Sequence, residues 1–318
     1  MQFSFFSLFA YLGVLTVSFY FASLYEKYGK KSCLILTYLT LVCFCGFRFF
    51  VGNDYAGYVK HFSLISIYEE NVIFIEPGYY ALNLLFKWSP VGYFYVFFIA
   101  TALSYFFILR QLCYERILKW GIFSLVSLGC LIWMNDIIRQ GIAFSIFIYS
   151  LRYMKKGDFL SYFICVAIAC LFHYSAVVLL FFYFLRYLRL SSIVWILLII
   201  LTFVLQYAGI FRELLKSLIA MIPYYGAYAN KADQYFVTGS VVGIGLIYKQ
   251  LIAMCIALFY PKISNKFYAT LFLSGCVLDN IFLGTFIFER ISNYLVYTNI
   301  MVFPYFFKSV RSEERRVG

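Results

Sequence analysis

Charge is what this chain lacks most. Only 13% of its 318 residues are Asp, Glu, Lys or Arg, against roughly 25% in a soluble domain. With 64% hydrophobic residues and a mean hydropathy of +0.86, too much apolar surface would remain wet in any soluble fold of this size. That excludes a soluble globular enzyme, a disulfide-rich secreted domain and a disordered chain. Proline is scarce, with 5 residues, which suits long helices. Strand-like alternation is missing as well. Residues 191–209 and 241–260 are continuous apolar runs, where an outer-membrane barrel would alternate polar and apolar positions. The nine cysteines form no C-x-x-C pair and lie mostly inside apolar runs, so they read as buried free thiols. His61 and His173 are the only histidines, too few for a multi-histidine metal site. No GxxxxGK[ST] loop and no DxD-type pair occurs, which argues against a nucleotide or nucleotide-sugar site. The first apolar run is too long, and lacks the basic start, of a cleavable signal peptide.

What is present is the pattern of an all-α polytopic membrane protein. A bilayer core needs about 20 helical residues. Apolar runs at 3–24, 32–47, 91–109, 120–135, 139–154, 159–173, 175–189, 191–209, 241–260, 267–285 and 291–307 predict about eleven transmembrane helices, within a range of ten to twelve. Residues 79–88 are apolar but too short to span and read as interfacial or re-entrant. The expected organisation is one integral membrane domain over 1–310, with two longer outer loops at about 48–90 and 210–240. The polar tail 311–318 differs from everything before it and is set aside as a segment that need not be native.

The basic residues set the orientation. Of 26 Lys and Arg, 17 fall on one side of the predicted spans and 8 on the other, and that first side carries the whole net charge of +12. They come as short clusters between apolar runs rather than as one face, so the charge marks topology and not nucleic-acid binding. The basic side is the cytoplasmic one, which puts the N-terminus outside and the C-terminus inside. Both long loops then lie outside, where loops most often carry function.

Charged groups at membrane depth are expensive and therefore informative. Arg48, Arg139 and Arg290 stand at outer span ends, the place where the positive-inside bias least expects them. Each alone reads as a headgroup anchor. Three at one depth form a candidate anion site, because guanidinium forks bind phosphate oxygens bidentately. His173 falls at the outer tip of a helical hairpin, either as a general base near neutral pH or as a histidine satisfied at a turn. Gly52-Asn53-Asp54 is a turn signal. Asp54 suits accepting a hydroxyl proton or bracing an arginine; Tyr55 and Tyr58 suit stacking on a sugar ring or prenyl chain; Glu76 offers a second carboxylate. Lys249 and Asp279 lie at similar depths within spans and read as a structural ion pair. Tyr224, Tyr225, Tyr228, Lys231, Asp233 and Tyr235 give the 210–240 loop the character of a glycan lid or of a surface helix.

Taken in order, these residues resemble a known family. Arg48…Gly52-x-Asp54-Tyr55-x-x-Tyr58, then Glu76-Pro77-Gly78-Tyr79, Arg139-Gln140-Gly141-Ile142-Ala143, Phe172-His173-x-Ser175-Ala176 and Arg290-x-x-x-Tyr294 resemble the EpsG-like branch of Wzy-type polysaccharide polymerases. The resemblance covers about 45–305. It implies a bacterial inner-membrane, multi-pass glycosyltransferase with a GT-C-like fold. Such an enzyme polymerises undecaprenyl-pyrophosphate-linked oligosaccharide repeat units into O-antigen or a related surface polysaccharide on the periplasmic face, without metal, nucleotide or other cofactor. Arg139, His173 and Arg290 are then the expected catalytic residues, and Arg48, Asp54, Tyr55, Tyr58, Glu76 and Tyr294 the expected substrate-binding ones. The implied partners are the lipid-linked glycans, the bilayer, a chain-length regulator and a flippase. Two other classes fit less well. A lipid-linked oligosaccharide flippase or transporter would be longer and hold its charge in a central cavity. A membrane O-acyltransferase would want its histidine and arginine near the cytoplasmic or N-terminal part.

Overall fold

The computed structural model describes residues 5–67, 75–220 and 244–317. Among these no β-strand occurs, and the chain is a succession of helices. It divides into two compact units, Met1–Tyr183 and Phe184–Gly318.

The first unit contains α1 (Phe5–Tyr28), α2 (Lys31–Gly46), α3 (Tyr55–Ile67), α4 (Pro77–Leu84), α5 (Gly92–Tyr114), α6 (Leu118–Ser127), α7 (Cys130–Asp136), α8 (Ile138–Lys156) and α9 (Phe159–Cys170). It ends in a 3-10 turn, Tyr174–Val178, followed by α10 (Leu179–Phe182). α8 is its core. Gln140 to Ile148 are buried without interruption, because α5 packs on one side and α9 on the other. α1 packs on α2 and α6, and α2 on α5. The short helices α3 and α4 pack on each other and on α5. They occupy the segment expected as the first outer loop.

The second unit holds α11 (Ser192–Tyr207), α12 (Ile210–Ala220), α13 (Ile244–Phe259), α14 (Lys266–Phe282), α15 (Phe286–Val296) and α16 (Asn299–Val317). α14 is the centre, with Tyr268–Cys276 buried; α11, α12, α13, α15 and α16 all pack on it. The Lys249–Asp279 pair read from the sequence is formed, Nζ to Oδ2 at 3.1 Å, and Ser292 Oγ donates to Asp279 Oδ1 at 3.1 Å. The tail 311–316 continues α16 as helix.

Outward faces are apolar. α9 exposes Phe159, Leu160, Phe163 and Ile164, and α11 exposes Ile193, Leu197, Leu201 and Val204. Soluble proteins rarely leave such stripes uncovered, whereas lipid covers them at no cost. Hydroxyl groups on α1, α2, α5 and α11 bond their own backbone: Thr16, Thr37, Thr40, Ser104 and Thr202 each donate to the carbonyl four residues earlier, as suits a medium without water. All nine cysteines are free thiols.

Two described helices, Ser7–Tyr28 and Gly92–Tyr114, are long and apolar enough to cross a membrane alone. Lys31–Gly46, Phe159–Cys170, Tyr174–Tyr187, Ser192–Tyr207 and Gly245–Phe259 are apolar but shorter. The chain departs from the sequence reading at three runs, of which 175–189 is wound as two 3-10 turns, Tyr174–Val178 and Tyr183–Tyr187, around the four-residue α10. Run 120–135 is not straight: α6 and α7 meet at 61°, where Gly129 takes a left-handed backbone, φ 79°. Run 291–307 is split between α15 and α16, because the chain leaves the helix at Tyr297 and Thr298, whose hydroxyl binds the Leu295 carbonyl.

The packing of α14 on α15 is tight enough to fix one side-chain choice. A Cβ on Gly275 would lie 2.6 Å from the backbone of Leu295 and Val296, and backbone cannot yield as a side chain can. Gly275→Ala is expected to destabilise by about 2 kcal/mol and to lower the melting temperature of detergent-purified protein by about 5 °C. An unchanged melting temperature would refute so close an approach.

Candidate active site

The sequence Glu76-Pro77-Gly78 opens α4 and does three things at once. Pro77 takes the first helical position, where no N–H is needed. Gly78 donates its N–H to the Leu171 carbonyl at 2.7 Å, and a Cβ there would sit 2.8 Å from that same oxygen. The glycine therefore lets the start of α4 dock against the end of α9. Glu76 makes no capping bond to its own helix. Its carboxylate instead faces the two groups that the dock brings to it.

Those groups are Arg139 and His173. Arg139 Nη1 lies 2.6 Å from Glu76 Oε2, and His173 Nδ1 lies 2.9 Å from Glu76 Oε1. Arg139 stands in the first turn of α8, where a cation opposes the helix dipole, so the carboxylate offsets that as well. His173 precedes the 3-10 turn after α9, tied by its own N–H to the Ala169 carbonyl at 3.0 Å. The Glu76 side chain is 5% exposed, that of His173 10% and that of Arg139 21%. Burial pushes the Glu76 carboxyl up, but the His173 hydrogen bond and the Arg139 charge outweigh it and bring its pKa down to about 2. The ionised carboxylate accepts from Nδ1–H. That leaves Nε2 as the basic nitrogen of the neutral ring, the arrangement in which a carboxylate orients a histidine for proton transfer.

Aromatic rings enclose the arginine. The Arg139 guanidinium carbon is 5.9 Å from the ring centres of both Tyr58 and Tyr79, within cation–π reach. Both rings are buried. Burial, and then Tyr58, push the Tyr79 phenol well up, so it stays neutral. Arg139 Nε makes no hydrogen bond among the described residues.

Arg48 is placed differently. It is 6% exposed, donates to Asn135 Oδ1 at 3.0 Å and the Cys45 carbonyl at 3.2 Å, and stacks over Phe97 at 5.1 Å. Its hydrogen-bond partners are neutral. Asp54 and Tyr55 have other surroundings. Asp54 is exposed at the start of α3, and the carboxylate that braces an arginine is Glu76. Tyr55 packs against Phe50 and Phe97, so its ring is occupied by neighbours rather than open to a sugar. Asn135 and Asp136 were missed by the sequence reading. Asn135 holds Arg48, and Asp136 Oδ1 accepts the Asn53 N–H at 3.1 Å, which ties the 52–54 turn to the end of α7. The available signal was a polar pair closing an apolar run, Trp133-Met134-Asn135-Asp136.

Arg290 and Tyr294 belong to the second unit, on α15, where Arg290 is exposed and Tyr294 fully buried. The tyrosines and charges of 224–235 lie outside the described residues. No group of three His, Cys, Asp or Glu side chains comes together among the described residues as a metal ion would need.

Residues 31–318 match the EpsG family, and the chain belongs to that family. No curated protein matches the chain, and no solved structure does. Family and fold together define an all-helical membrane protein of the polysaccharide-polymerase kind.

A depressed carboxylate stabilises the fold above its unfolded pKa and ceases to do so as pH falls through its folded value. For Glu76 that window runs from about 4.5 down to about 2. The melting temperature of the wild type is expected to fall across it. In Glu76→Gln this component is absent, so the profile is flatter there and the protein less stable at pH 7. Parallel profiles for the two proteins would show that the carboxylate is not held as described.

Proposed function

We propose that this protein is a glycosyltransferase that polymerises undecaprenyl-pyrophosphate-linked oligosaccharide units into a surface polysaccharide, O-antigen or a relative of it. The observation that carries the reading is the Glu76 carboxylate held between Arg139 and His173, which sets a base and a cation side by side on one rigid dock. The family membership supports the reaction class. In this reading the chain is one GT-C-like domain of about eleven spans in a bacterial inner membrane, N-terminus outside, with the site at the periplasmic face.

His173 Nε2 takes the proton from an acceptor sugar hydroxyl. The hydroxyl oxygen attacks the anomeric carbon of the growing chain, and the bond from that carbon to the lipid pyrophosphate breaks. Glu76 orients the imidazole and stabilises its charged form. Arg139 meets the negative charge that develops on the leaving pyrophosphate with the guanidinium edge that Glu76 does not occupy. Arg290, exposed on the second unit, is proposed as a further catalytic cation, and Tyr294 as a further substrate-binding residue. Arg48, buried with neutral partners, adds positive field rather than a direct contact. Asp54, exposed at the start of α3, borders the sugar path. The reaction needs no metal or nucleotide, and its natural companions are a flippase that delivers the units and a regulator of chain length.

Purified protein given lipid-linked repeat units tests this. Arg139→Ala is expected to cut polymer formation by about 10²–10³-fold, and His173→Ala by about 10²–10⁴-fold, each still folding cooperatively but with a lowered melting temperature. Unchanged polymer in both variants would sink the mechanism. In cells, a deletion strain that displays single repeat units supports a polymerase; one that displays none at all supports a flippase instead.

A further inference from the structure

A second site lies in the first unit between α1, α2 and α5. It is a cleft of about 540 Å³ walled by Leu34, Ile35, Tyr38, Phe106 and Leu109, with Arg110 and Arg152 at its rim. The two arginines are not alike. Arg152 is held: Nε donates to Gln111 Oε1 at 2.9 Å, Nη2 to the Arg110 carbonyl at 3.0 Å, and its guanidinium stacks over Tyr149 at 4.0 Å and Tyr114 at 4.5 Å. Arg110 is exposed, touches Phe106 at 6.0 Å, and makes no ion pair or hydrogen bond through its guanidinium among the described residues. The nearby acids are already engaged: Glu115 pairs with Lys155 at 3.0 Å, Glu26 with Lys119 at 3.7 Å, and Asp158 caps α9. So one guanidinium lacks a counter-charge at the mouth of an apolar cleft of ligand size. It does so on the side of the chain that carries the net +12, which the positive-inside bias makes the cytoplasmic one.

We propose that this cleft binds one anionic phospholipid of the surrounding leaflet. Its phosphate sits on the outward edge of Arg110 with Arg152 beside it, and an acyl chain lies along Leu34, Ile35, Phe106 and Leu109. The chemistry is complementary in both parts. A guanidinium takes phosphate oxygens in pairs, anionic headgroups gather against basic membrane faces, and the apolar wall gains nothing from a free anion. The site is independent of the polymerase reading, since Glu76, Arg139 and His173 take no part in it.

The test is thermal unfolding of the detergent-purified protein titrated with phosphatidylglycerol, phosphatidylcholine, inorganic phosphate or undecaprenyl phosphate, with native mass spectrometry to count retained lipids. Saturating phosphatidylglycerol is expected to raise the melting temperature by about 5 °C, with phosphatidylcholine and inorganic phosphate giving no shift. Arg110→Gln is expected to lose most of that rise and the retained lipid. Lys262→Gln, the same charge change on the same side at a residue that does not line the cleft, is expected to keep both. An equal rise in Arg110→Gln would overturn the site. An equal rise with inorganic phosphate would reduce it to an anion contact and overturn the lipid assignment, and stronger protection by undecaprenyl phosphate would reassign it to the carrier lipid.

Discussion

An ionised carboxylate cannot remain in an apolar protein without partners, and Glu76 has two. Its oxygens divide between Arg139 and His173 at hydrogen-bond distance. Much of the first unit around α4 is arranged around that fact. Pro77 starts α4 at the right residue, Gly78 lets it touch Leu171, and α9 ends where it does so that His173 comes within reach. Removing either partner would leave a buried charge with too little compensation, which costs far more than the pair itself returns. The same constraint orients the imidazole, so structure and chemistry rest on one interaction.

The second unit shows the same logic with a different outcome. Lys249 and Asp279 pair, Ser292 takes the remaining carboxylate oxygen, and Asn280 binds Thr202 and the Ile199 carbonyl. This network fastens α11, α13, α14 and α15 together. Nothing in it has the base-and-cation arrangement of the first unit. Polar groups inside such a protein are thus of two kinds: those spent on holding helices together, and those held ready for something else. Arg139 shows the second kind in its Nε, which has no partner among the described residues, and Arg110 shows it at the opposite charge extreme of the chain.

Much of the site was legible because membrane-depth charge is rare. With 13% charged residues, any Arg or His at a span end stands out, and Arg139 and His173 were visible on that ground, Glu76 as a second carboxylate in the outer loop. Their division of labour was not. Asp54 and Glu76 looked equivalent as carboxylates in one loop; only the docking of α4 on α9 decides that Glu76 is buried with Arg139 and His173 and Asp54 faces outward. Arg48 and Arg139 looked equivalent as outer-end arginines. The partners differ because Asn135, at the end of α7, reaches Arg48, while Tyr58, Tyr79 and Glu76 surround Arg139.

The sequence by itself determined the helical membrane class and the residue types from which a site could be built. These follow from composition and run length, since a bilayer accepts only backbone that satisfies its own hydrogen bonds. The tertiary structure alone decided which charged groups meet. It bent 120–135 into two helices at Gly129, split 291–307 at Tyr297, and closed a distance of 63 residues between Glu76 and Arg139 and 97 between Glu76 and His173. Pairing across such separations depends on close approach at single positions such as Gly78, and hydropathy along a chain does not encode that.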